Sequence, residues 1–97
     1  MISKHIKHYL TTEGKQFLPS WLQRLQQARH EVPGFKDILL GKESGDEEAT
    51  HLILLFQDQS ALDRWIDNAT HRELLAALQG YLYRPSEIQT FEFESLI

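Results

Sequence analysis

In the stretch WIDNATHRELLAAL, residues 65–78, a histidine follows directly on a threonine and opens a leucine-rich run. Imidazole has an ordinary pKa near neutral pH, so His71 is the first candidate for proton transfer. Thr70 and Glu73 have the spacing of a capping box, each side chain accepting the other residue's backbone N–H. That predicts a helix starting behind Thr70, with His71 at its first position and at the head of an inward row with Leu74, Leu75 and Leu78. A helix N-terminus disfavours the imidazolium by about 0.3–1 kcal/mol, less than one pKa unit, so a neutral ring is expected at pH 7. Such a ring can act as a general base or hydrogen-bond a phenol. It can equally be a buried histidine satisfied by backbone, and the residues leave both readings open.

Other candidates are weaker. Trp65 reads first as core by its spacing and second as a cofactor platform. His5, Lys7 and Tyr9 share one parity of a strand, where a dry core would make all three costly. Asn68 reads first as a turn-former and second as a residue at a pocket mouth. His5 and His8 stand three apart on a strand and point to opposite faces, and His30 and His51 add no ligand spacing, so no metal is expected. No glycine-rich phosphate loop, Ser-His-Asp arrangement or carboxylate dyad stands out.

The elements that must position these residues follow from periodicity. Residues 2–11 alternate, with Ile6, His8 and Leu10 on one parity, and read as a strand. Thr11 or Thr12 then supplies helix-start chemistry. From Phe17 the period is helical, with Leu18, Trp21, Leu22, Leu25, Ala28 and Val32 in one stripe. Pro19 either sits in the first turn or interrupts a helix begun at Gly14. Val32-Pro33-Gly34 ends it. FKDILLGKE and THLILLFQD are two strands joined through SGDEEA as a hairpin. A helix with Leu62, Trp65, Ile66 and Ala69 follows, with Ser60 and Asp63 as its predicted cap. After the second leucine stripe and Gly80, Tyr81, Tyr83, Arg84 and Pro85 form a connection that could serve as lid or dimer contact. SEIQTFEFES closes the chain as a fourth alternating strand. The order β-α-β-β-α-β predicts an α+β, ferredoxin-like fold, a four-stranded antiparallel sheet with its helices on one face.

That plan leaves the second sheet face open, and LILLF, residues 52–56, is apolar on both parities. Two helices cannot cover both faces, so the expected cover is a second copy of the chain, as a homodimer through the sheet. Ninety-seven residues make one domain, 1–97. A net charge of −4 with scattered basic residues gives no footprint for nucleic acid or anionic membrane. Zero cysteines remove disulfides and thiolate chemistry. Neither a signal peptide nor a membrane span is expected, and cytoplasm is the predicted location.

The stretches EVPGFKDILLGKES and LILLFQDQSALDRWIDNATHRELLAAL, together with TTEG after the first strand, resemble the antibiotic biosynthesis monooxygenase family of dimeric α+β barrel proteins. The resemblance spans residues 4–94 and implies a pocket between helices and sheet for a small aromatic or quinol-type ligand. It implies oxidation by O2 with no cofactor, His71 and Tyr9 orienting or deprotonating a hydroxyl while Trp65 packs the ring. Aligned by Gly14, it turns His5, Lys7 and Tyr9 toward the helices; with the parity reversed, His8 points there instead. A haem-degrading branch has a strand-one asparagine, a helix tryptophan and a histidine ten residues later. Here Trp65 matches, but Lys7 and Leu75 occupy the other two places, which disfavours haem degradation. The alternatives are a non-enzymatic small-molecule binder and a haem binder without turnover.

Overall fold

The computed structural model describes residues 1–96, and residues 46 and 47 by their backbone alone. The elements are β1 (Ile2–Leu10), α1 (Thr12–Arg29), β2 (Phe35–Glu43), β3 (Asp46–Phe56), α2 (Gln59–Asp67), α3 (Ala69–Gln79) and β4 (Leu82–Glu92). The sheet runs β2-β3-β1-β4 with every neighbouring pair antiparallel. This is the ferredoxin-like arrangement expected from the sequence, with the second helix broken in two at Asn68.

Local chemistry explains the boundaries. Thr11 caps α1, its Oγ1 accepting from the Gly14 N–H at 3.1 Å. The helix begins at Thr12, so Pro19 lies in its interior and not in its first turn. A Cβ on Gly14 would stand 2.9 Å from both Cβ and carbonyl oxygen of Tyr81, so only glycine lets α1 start this close to β4. Gly34 turns the chain into β2 at φ +89°, a conformation open to glycine. The β2–β3 hairpin is tighter than the six-residue loop expected: Glu43 already pairs with Asp46, with Gly45 at φ +83° between them.

The caps of the later helices differ from those predicted. Asp58, not Ser60, caps α2 by accepting from the Ala61 N–H at 2.9 Å. Asn68, not Thr70, caps α3, its Oδ1 accepting from the Thr70 N–H at 2.8 Å. Thr70 is therefore helical, and its hydroxyl donates to the Glu31 carboxylate at 3.1 Å. Asparagine ranks above threonine as an N-cap, and a helix begun behind Asn68 leaves the Thr70 hydroxyl to Glu31.

The core lies on one side of the sheet. Trp21, Leu25 and Ala28 of α1, Leu62 and Trp65 of α2, and Leu74 and Leu78 of α3 pack on Ile2, Leu10, Phe35, Leu52, Leu54 and Phe56. These β1 residues have even numbers, and with Ile6 they form the apolar stripe of that strand. His5, Lys7 and Tyr9 consequently face away from the helices, with Ile53 and His51 opposite His5 and Lys7 on β3. The inward placement of these three by alignment on Gly14 is corrected: the burial of Ile2, Ile6 and Leu10 fixes the parity.

β4 starts at Leu82 and not at Ser86, so Tyr83, Arg84 and Pro85 belong to a strand and not to a lid. Proline is admissible there because β4 is a sheet edge. Lys7 pairs with Glu87 and Tyr9 with Arg84, so Pro85 and Ser86 together stand opposite His8. This bulge gives β4 an extra residue next to the buried histidine.

Candidate active site

His8 is 3% exposed, held between β4 and α1. Its Nδ1 and the Ser86 Oγ of the bulge are 2.7 Å apart, and its ring meets that of Trp21 edge-on at 5.9 Å. Burial disfavours the imidazolium and lowers the pKa of His8 from 6.5 to about 4. The ring is neutral at pH 7.

His71 approaches from the other side. With Asn68 as cap it occupies the third position of α3 and not the first. Its ring lies 4.8 Å from that of Trp65, and its Nδ1 stands 3.4 Å from the carbonyl oxygen of Ile66. A carbonyl only accepts, so this long contact requires the proton on Nδ1 and leaves the lone pair on Nε2. Desolvation lowers the pKa of His71; the Ile66 carbonyl opposes it, and the charges of Lys4 and Arg72 add to the lowering.

The two histidines line one cavity of about 330 Å³, with Lys4 and Ile6 of β1, Leu75 of α3 and Ser86 of β4. A smaller space of about 20 Å³ beneath it is bounded by the same His8, His71, Ile6 and Leu75, and adds Trp21 and Trp65. Trp21 is satisfied, its indole N–H donating to the Leu74 carbonyl at 2.9 Å. The Trp65 ring is 1% exposed, and its N–H has no partner among the described residues. The cavity thus has apolar walls, two neutral imidazoles and a buried indole donor beside it. This combination suits a flat aromatic molecule bearing a hydroxyl group.

A groove of similar size, about 340 Å³, runs between Lys15, Leu18, Leu40 and Thr50. It has no histidine or carboxylate in its wall. On the far face a smaller space of about 160 Å³ lies among His5, Lys7, His51 and Glu87. Among the described residues no three His, Cys, Asp or Glu side chains converge as a metal-binding group.

Of the residues singled out from sequence, His71 and Trp65 meet at one site. Tyr9 is on the opposite face, under the Arg84 guanidinium at 4.0 Å, with its hydroxyl donating to the Glu87 carboxylate at 3.0 Å. Lys7 pairs loosely with Glu43 at 3.8 Å, and His5 contacts the Phe91 ring at 4.8 Å, both on that same face. Asn68 is a helix cap whose side-chain oxygen is engaged by backbone. Lys4, Trp21 and Ser86 were not among the sequence candidates. The even parity of Ile2, Ile6 and Leu10 was the available signal for Lys4 and His8, whereas the bulge that delivers Ser86 leaves no mark in local pattern. Leu75, at the place of the haem ligand in the haem-degrading branch, lines the cavity wall.

No protein-family model matches the chain, and no curated protein matches it by sequence. Solved structures do match. A conserved protein from Methanosarcina mazei Go1 superposes with a TM-score of 0.84 at 19% identity, over 96% of this chain and 92% of that one. A candidate antibiotic biosynthesis monooxygenase from Deinococcus radiodurans gives 0.84 at 15% identity, over 100% and 96%. A cofactor-independent oxygenase from Streptomyces nogalater gives 0.79 at 18% identity, over 99% and 95%. At such identities shared geometry establishes architecture, and activity has to be argued from the site. The chain has the fold of the antibiotic biosynthesis monooxygenases.

Proposed function

We propose that the protein is an oxygenase acting without metal or flavin on a small hydroxylated aromatic or quinol-type molecule held in the cavity that His8 and His71 line. One observation carries the reading: two imidazoles with lowered pKa values line a single cavity that is otherwise mainly apolar. In this scheme Nε2 of His71 accepts the proton of the substrate hydroxyl, and His8, anchored on Ser86, orients the resulting anion. The anion gives one electron to O2, and the substrate radical and superoxide combine to form a C–O bond. For an anthrone-type substrate, whose enol bears the hydroxyl, the new bond forms at the carbon that is CH2 in the keto form; His71 returns its proton to the peroxide, and loss of water from the hydroperoxide leaves a carbonyl. One oxygen atom enters the substrate, the other leaves as water, and the substrate supplies all four electrons. Oxygen uptake with a panel of hydroquinones and anthrones tests the reading. Uptake by the wild type that falls at least tenfold in His71→Ala supports it; no uptake by either protein favours a binding protein.

We also propose that two copies pair through the sheet face opposite the helices. Leu39 and Phe91 are 45% and 42% exposed there, beside half-buried Ile53 and Leu55. An apolar patch of this kind on an otherwise charged small domain is typical of an interface.

A further inference from the structure

Within the cavity proposed as the active site, one charged group is not used by the oxygenase scheme. Lys4 projects from β1 on the helix side, between Leu54 of β3 and Thr90 of β4, and lines the cavity with His8 and His71. It makes no ion pair among the described residues, and no aspartate or glutamate lines the cavity. Glu87 faces the other way and receives the Tyr9 hydroxyl; Glu92, opposite Ile2 at the strand end, is exposed. In a chain of net charge −4, this wall carries positive charge only. The cost of the arrangement is visible: burial lowers the Lys4 pKa, and the Lys4 charge helps to lower that of His71. A half-buried ammonium without a counter-ion is a site at which an anion is stabilised.

We propose that the cavity selects an aromatic carboxylate, with Lys4 as the residue that binds the carboxylate while the ring lies against the apolar wall. The inference rests on the aromatic-binding reading above and adds charge specificity to it. Size sets the ring system. An apolar cavity of roughly 150 Å³ holds a benzene ring, so about 330 Å³ accommodates two fused rings. A carboxylate ortho to a ring hydroxyl would place the anion on Lys4 and leave the hydroxyl for a histidine.

The test compares 1-hydroxy-2-naphthoate with neutral 1-naphthol, read by quenching of tryptophan fluorescence, since Trp21 and Trp65 line the small space that shares His8 and His71 with the cavity. The wild type is expected to bind the carboxylate about tenfold more tightly, the value of one charge-assisted contact. Lys4→Met is expected to bring the two affinities to within about twofold of each other, and Lys4→Arg to retain the preference. Lys36→Met, the same charge change at an exposed site on β2, controls for net charge. Equal binding of the two probes by the wild type, or a preference that survives in Lys4→Met, overturns the carboxylate proposal and leaves the aromatic cavity standing. Binding of neither probe overturns both.

Discussion

The rings of Trp65 and His71 lie 4.8 Å apart at a 52° tilt, one ending α2 and the other in the first turn of α3. Asn68 makes this possible. As residue between the helices it is extended, at φ −72° and ψ 133°, and its side chain restarts the helical hydrogen bonding. The histidine is thereby turned back onto the tryptophan that precedes it, and both face the sheet.

Replacing Asn68 by alanine removes the α3 cap and is expected to cost about 1 kcal/mol in urea unfolding. Thr70→Ala, which removes only an exposed hydroxyl-to-Glu31 contact, should cost less. A larger loss for Thr70→Ala would restore threonine as the cap.

The two tryptophans provide a second comparison. Trp21→Phe breaks the bond to the Leu74 carbonyl, whereas Trp65→Phe removes an indole N–H that has no partner among the described residues. Trp65→Phe should therefore be the milder change, by about 1 kcal/mol. Trp65→Ala empties core volume as well and is expected to cost about 3–5 kcal/mol. Thermal or denaturant unfolding of the three variants orders them directly.

Acid should destabilise the protein through His8. Its folded pKa of about 4 lies below the ordinary 6.5, so the unfolded chain binds the proton more readily. The neutral-histidine contribution is full above pH 6.5 and is lost as pH falls through 4, over a total of roughly 3 kcal/mol. Proton NMR of the His8 ring should show the low midpoint. His8→Gln should flatten the dependence of unfolding free energy on pH in the same window.

Pairing through the sheet predicts that light scattering returns twice the chain mass of 11.4 kDa. Ile53→Lys, on the far face next to His5 and Leu39, should yield monomers without unfolding the helix-side core. A monomeric wild type would remove the interface.

Much of the fold was legible because it depends on local pattern. Alternation marked β1, the 3.6-residue period marked α1 and α3, and the apolar run LILLF marked β3. The break before His71 was visible as well, though the side chain closing it was not. Asn68 and Thr70 both have capping chemistry, and only the observed hydrogen bond to the Thr70 N–H separates them. The extent of β4 was hidden by Pro85, which argues against a strand until the edge position is known.

The sequence by itself determined the order of elements, the absence of cysteine chemistry and the placing of Trp65 and His71 on two successive helical stripes. These follow from composition and from spacing along one piece of chain. Tertiary structure alone decided which face of β1 meets the helices, because alternation defines two faces without saying which is buried. That choice moved His5, Lys7 and Tyr9 to the far side and brought His8 and Lys4 against His71. It also set their protonation, since the lowered pKa values of all three arise first from burial by residues distant in the chain.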